Sequence, residues 1–136
     1  MSRYVAIVDG EPGAFGVVVP DLPGCTSAGD TIEAALLNAV EAVRLWVEDA
    51  EADGETIPQP QSVEALRRVP AIAEDIASGA VLSFVPLLRE SGRATRVNLS
   101  LDAGMLDAID AEAKRRGLTR SAFLASAARE AIVRGI

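Results

Sequence analysis

The sequence predicts an α+β chain: a small antiparallel sheet packed by one long helix, followed by a strand–helix–helix module that dimerises. Three observations predict it. Short β-branched runs separated by Gly/Pro turn chemistry occupy residues 4–28. One long amphipathic pattern runs from Thr31 to Asp53. After residue 94 the chain switches to a seven-residue alternation and two capped helical patterns.

Tyr4–Val8 reads as a strand, Asp9-Gly10-Glu11-Pro12-Gly13 as a turn, and Ala14–Val19 as a second strand with Phe15, Val17 and Val19 on one face. Pro20, Pro23 and Gly24 mark a loop before a brief strand near Cys25–Ala28. The long helix opens at Gly29-Asp30-Thr31, with Asp30 as the expected N-cap and Glu33 three residues on. Ile32, Leu36, Ala39, Val40, Val43 and Val47 recur at three- and four-residue steps, with Glu33, Glu41, Arg44, Glu48 and Glu51 on the other face. Ile57-Pro58-Gln59-Pro60-Gln61 is extended, Ser62 caps a short helix, and Pro70 opens another that stops at Gly79. Ala80–Val85 is an apolar strand ending at Pro86. The reading gives a first domain at 1–89, a linker at 90–94 and a second domain at 95–136.

Net charge is −7, which taken alone argues against nucleic acid. It is an average over two regions of opposite sign: residues 1–92 balance to −10 and residues 93–136 to +3. Charge asymmetry of this kind suggests two partners of different charge. There is no histidine, which excludes Ser-His-Asp and Cys-His nucleophile systems and histidine-ligated metals. One cysteine excludes an internal disulfide and fits a reducing compartment, so a cytoplasmic protein is expected, without membrane attachment. Cys25 reads as a small buried apolar residue and Trp46 as a packing residue.

Thr95–Leu101 alternates strictly, with Val97, Leu99 and Leu101 on one face and Arg96, Asn98 and Ser100 on the other. Asp102 caps a helix bearing Leu106, Ile109 and Ala113, Gly117 stops it, and Thr119 caps a second helix with Leu124, Ala127, Ala128, Ala131 and Ile132. A lone strand leaves both of its edges unpaired, and 44 residues is near the lower limit for independent folding. Pairing with the same strand of a second copy solves both problems. Such a two-stranded ribbon fits the major groove, where Arg reads guanine and Asn reads adenine. Arg96, Asn98 and Ser100 are therefore the expected base contacts, and Thr119, Arg120 and Ser121 the expected phosphate contacts at a helix start. Arg96-Val-Asn-Leu-Ser-Leu-Asp102 with its two helices resembles a ribbon-helix-helix DNA-binding domain.

Pro20-Asp21-Leu22-Pro23-Gly24-Cys25, Gly29-Asp30-Thr31, Glu33-Ala34-Ala35 and Asn38-Ala39-Val40-Glu41-Ala42, in that order, resemble the HicB family of antitoxins over roughly residues 3–88. The ribbon-helix-helix tail is one of the C-terminal modules of that family. The resemblance implies a partial RNase H-like, non-catalytic domain that binds and blocks HicA, a small basic toxin that cleaves mRNA. An acidic surface suits such a partner. The sequence singles out no toxin-contact residues, since the acidic helix face (Glu41, Glu48, Glu51) reads first as a solvated face.

A two-metal nuclease would need clustered carboxylates. Asp9, Asp21 and Asp30 are the candidates, and turn, inter-proline and capping positions account for each. No catalytic residue, metal or cofactor is therefore expected. The reading is an antitoxin and autorepressor. Its partners are operator DNA, a HicA-like toxin and a second copy through the C-terminal ribbon, as a dimer or a tetramer of two dimers. The alternative is a ribbon-helix-helix repressor whose first domain senses a small ligand.

Overall fold

The β-branched run at the N-terminus forms a strand buried on both faces, and a sheet is built around it. The computed structural model describes residues 1–135, which divide into two compact units, one from Met1 to Arg89 and one from Glu90 onward. The first unit runs β1 (Arg3–Glu11), β2 (Ala14–Val18), β3 (Thr26–Gly29), α1 (Ile32–Ala52), α2 (Val63–Arg67), α3 (Pro70–Ala77) and β4 (Val81–Pro86). The sheet is antiparallel throughout, in the order β3-β2-β1-β4. No helix among the described residues is long and apolar enough to cross a membrane.

β1 extends through Asp9, Gly10 and Glu11, which the sequence assigns to a turn; they pair instead with Gly16, Phe15 and Ala14. Ladder pairing overrides the local turn preference, and only Pro12-Gly13 remains to reverse the chain. Pro12 has its φ fixed by its ring, and Gly13 adopts a φ of +91° that side chains disfavour.

Opposed residues share a face, so Tyr4 and Val85, and Val8 and Val17, belong to one side of the sheet. Ser27 lies opposite Val17 and its Oγ donates to the Ala35 carbonyl at 2.7 Å, which identifies that side as the one beneath α1. The α1 stripe Ala35, Ala39, Val40, Val43, Val47 and Ala50 is buried. The opposite face presents Val5 and Ile7, which form a second core with Leu66 of α2 and Ile72 of α3. The first unit is thus α1, sheet and α2–α3, in three layers.

The start of α1 differs from expectation by one residue. Thr31, not Asp30, is the N-cap, its Oγ1 accepting from Ala34 N at 3.0 Å. The cap shift puts Glu33 at the second helical position instead of the third, so the expected capping box is not made. Asp30 contributes its backbone carbonyl, which accepts from Gly13 N at 2.9 Å. Gly29 has a steric role: a Cβ there would lie 2.5 Å from Ala35 N and 2.9 Å from Ala34 C. Asn38 Nδ2 donates to the Ala28 carbonyl at 2.8 Å across the same contact, so β3 and α1 are held too closely for a side chain. Gly29→Ala is expected to cost about 1–3 kcal/mol, as overpacking typically does. A denaturation midpoint equal to that of the parent chain would show that α1 moves aside freely.

The Pro20–Cys25 loop is a closed structural unit. Val19 N donates to Cys25 O (3.1 Å), Leu22 N to Val19 O (3.1 Å), and Cys25 N to Leu22 O (2.9 Å). Leu22 and Cys25 are buried, and burial pushes the Cys25 thiol pKa up, which keeps it protonated. Trp46 Nε1 donates to Pro23 O at 2.9 Å and fastens the loop to α1.

The second unit holds α4 (Ala103–Arg115) and α5 (Arg120–Arg134). The strand expected at Thr95–Leu101 is not formed in the single chain, and every residue from Arg89 to Met105 is exposed. A strand exists only with a partner, and the lone chain offers these residues none among the described strands.

Candidate functional site

The two helices of the second unit are joined by local devices that the sequence encodes fully. Asp102 caps α4, with Oδ2 accepting from Met105 N at 3.0 Å. α4 ends in a Schellman motif: Gly117 (φ +70°) donates to Lys114 O at 3.1 Å and Leu118 N to Ala113 O at 2.8 Å. Thr119 then caps α5, its Oγ1 accepting from Ala122 N at 3.1 Å. The turn therefore delivers the first N–H groups of α5, on Arg120 and Ser121, to an exposed helix start.

Of the six residues expected to meet DNA, the structure brings Thr119, Arg120 and Ser121 together at that helix start, all exposed. Thr119 spends a lone pair on the cap, which leaves its hydroxyl proton free to donate. Arg96, Asn98 and Ser100 lie in the segment before α4, which forms neither helix nor strand, and are also exposed. The apolar residues that alternate with them are uncovered: Val97, Leu99 and Leu101 are 69%, 64% and 42% exposed. Only Ile109 and Ala113 of α4 are buried, and no residue of α5 is. A helix pair with so little core of its own, preceded by three bare apolar residues, has an apolar surface to satisfy.

The ion pairs of this unit could not be read from the sequence. Arg120 Nε and Nη2 donate to the two carboxylate oxygens of Asp110, each at 2.8 Å, tying α5 to α4. This hydrogen bonding holds the Asp110 carboxyl below its ordinary range. Arg115 and Arg116 both grip Glu112, and their hydrogen bonds hold its carboxyl down to about 2. The Arg116 guanidinium also sits over the Phe123 ring, 5.4 Å from its centroid. Arg129 pairs with Glu90, and Arg134 with Glu130 at 3.2 Å. The signal for the Arg120 pair, ten residues from Asp110, is not a helical spacing. It depends on the angle between two helices.

In the first unit the acidic outer face of α1 is partly self-neutralised: Arg44 pairs with Glu48 at 3.0 Å and Glu41 at 3.5 Å, and Arg89 with Glu51 at 2.5 Å. Leu37 and Leu45 lie on the outside of this helix, each about half exposed. Of the three candidate carboxylates, one is committed to a structural role. Asp21 is buried and fully engaged, Oδ2 accepting from Gln61 N (2.9 Å) and Oδ1 from Gln61 Nε2 (2.6 Å). Beside it, Tyr4 donates its hydroxyl to Pro58 O at 2.7 Å. These bonds stitch the extended 57–61 segment to the sheet, a tie of 40 residues for Asp21 that sequence spacing does not disclose. Asp9 and Asp30 are exposed. Among the described residues no group of three His, Cys, Asp or Glu side chains is placed to hold a metal ion.

Residues 4–128 match the model of a protein family described as HicB-like antitoxin of bacterial toxin–antitoxin systems. The crystal structure of the antitoxin HicB from Burkholderia pseudomallei is 36% identical, with a TM-score of 0.51 and all of both chains covered. A HicA3–HicB3 toxin–antitoxin complex contains a chain 27% identical, with a TM-score of 0.51, covering 62% of this chain and 95% of that one. An uncharacterized 14.9 kDa protein from the rep–hol intergenic region of Haemophilus phage HP1 is 32% identical, over 79% of this chain and 78% of the relative.

Proposed function

Because the chain belongs to the HicB-like antitoxin family of bacterial toxin–antitoxin systems, we propose that it neutralises a HicA-like mRNA interferase and represses its own operon. In this reading the first unit binds the toxin and the second, as a ribbon-helix-helix dimer, binds operator DNA in the cytoplasm. The chain itself contributes no catalytic step. The toxin half is supported by the likeness to a chain of a HicA3–HicB3 toxin–antitoxin complex. The acidic balance of residues 1–92 adds electrostatic attraction for a basic partner.

The DNA half rests on one observation above the others. An exposed segment in which the apolar residues Val97, Leu99 and Leu101 alternate with Arg96, Asn98 and Ser100 leads directly into a capped helix pair with almost no core. Pairing two such segments covers the apolar sides and turns the polar sides outward together, which is the arrangement a ribbon needs to enter a major groove.

A small basic reading frame beside that of this chain is expected, and co-expression of the two proteins tests the toxin half. The expected result is a stable complex and restored growth of cells that make the toxin. A neighbour that neither copurifies nor is silenced would leave a repressor with a different first-unit role as the better account.

A further inference from the structure

The cations of the second unit are not equivalent. Arg115 and Arg116 share Glu112, Arg120 holds Asp110, Arg129 holds Glu90, and Arg134 holds Glu130. Among the described residues from 93 onward, Arg93, Arg96 and Lys114 are the cations without a salt bridge. The attraction this unit exerts on a polyanion is therefore concentrated at the segment before α4 and at the C-terminus of α4.

Arg120 is the informative case, because it stands on the first turn of α5 where a phosphate would dock. A guanidinium presents a two-pronged edge, Nε with Nη2, that matches a carboxylate or a phosphate equally well. Here that edge is filled, both prongs at 2.8 Å from Asp110. A phosphate must then use the remaining Nη1 side while facing a carboxylate a few ångströms away. Beyond contact distance the two charges cancel, so the pair offers almost nothing to an approaching backbone. The pair is also about half exposed on each side, at 55% and 44%. The pair that ties α5 to α4 is thus open to solvent, where an incoming anion can compete for the guanidinium.

We infer that Asp110 is a built-in counter-charge that restrains Arg120, setting the DNA affinity of the second unit below what its basic residues would otherwise give. This rests on the DNA-binding reading above and adds the residue that tunes it. Phosphate oxygens and the Asp110 carboxylate compete for one edge of one guanidinium. Full engagement of the helix start then requires Arg120 to swing away from Asp110. Asparagine at 110 keeps an acceptor for one prong and removes the charge, so it frees the arginine without leaving it unsupported.

The experiment measures binding of the full chain to a mixed-sequence 30-bp duplex and to the duplex upstream of its own reading frame, across a salt series. Asp110→Asn is expected to bind both about 3- to 10-fold more tightly at low salt. Its log–log salt dependence should steepen by about one unit per protomer, as one further phosphate contact per copy implies. Asp107→Asn, which removes an equal charge from the same helix without touching Arg120, should give a markedly smaller gain. In Arg120→Gln the further change Asp110→Asn should give no more than that control. Binding of Asp110→Asn equal to or weaker than the parent overturns the inference while leaving the DNA reading intact. A gain that persists without Arg120 also overturns it. If the parent chain binds neither duplex at low salt, the DNA reading itself fails.

Discussion

Alanine at Arg96 or at Asn98 is expected to abolish the preference for operator over unrelated duplex while leaving low-salt binding to any duplex largely in place. A good bidentate contact between a side chain and a base edge contributes about 1–3 kcal/mol of discrimination. In a two-fold ribbon each substitution removes two such contacts, so about 2–6 kcal/mol is at stake, or roughly 30-fold to more than 10⁴-fold. Both residues are exposed and lie outside α4 and α5. Phosphate attraction is unchanged by the loss of Asn98 and reduced but not abolished by the loss of Arg96, because Lys114, Arg93 and the α5 helix start remain. Competition between operator and scrambled duplex at fixed salt separates the two components. An equal loss on both duplexes would assign Arg96 and Asn98 to backbone contacts. Loss of toxin binding in the same variants would contradict a division of labour between the two units.

That experiment depends on a charge distribution the whole-chain average conceals. The negative balance, −10, belongs to residues 1–92, and five of the eight cations in the last 44 residues are engaged in ion pairs. A basic balance by itself therefore overstates how much of the second unit attracts DNA. Position relative to the docking face decides, which is why Arg96 is expected to dominate specificity and Arg120 to be held in check.

The residues show where the sequence was sufficient and where it was not. Caps at Ser62, Asp102 and Thr119, and the glycine stop at Gly117, were legible because each is made within a few residues of its own position. The cap of α1 is ambiguous in the sequence, since Asp30 and Thr31 are both good caps and the structure uses Thr31. Asp9–Glu11 has turn composition but becomes strand because β2 supplies the ladder. Asp21–Gln61 and Asp110–Arg120 join positions whose proximity is created by packing, so no local pattern announces them. The alternation at Thr95–Leu101 is the reverse case: the pattern is plain in the sequence, and the partner that would make it a strand lies outside the single chain.

Leu99→Glu tests that last point, and its expected effect is the largest after loss of base readout. Leu99 is the middle residue of the three exposed apolar positions, 64% exposed in the lone chain. Full burial of a leucine or valine side chain contributes about 1.5–3 kcal/mol, so three such residues from each of two copies form the main apolar contribution to a ribbon dimer. Glutamate at 99 would place two carboxylates in that interface, where a charge without a partner costs several kcal/mol. The variant is therefore expected to sediment as a monomer at concentrations where the parent chain is a dimer. Its affinity for DNA should fall by at least two orders of magnitude, because two half-site contacts become one. With no buried residue in α5 and two in α4, the helix pair should also lose helicity on separation, whereas the first unit keeps its own two cores. Circular dichroism of the full chain should then show early loss of part of the helical signal and an unchanged main transition. Toxin binding should survive. A Leu99→Glu chain that stays fully helical and binds operator as tightly as the parent would mean that the apolar side of residues 95–101 has another use than pairing with a second copy.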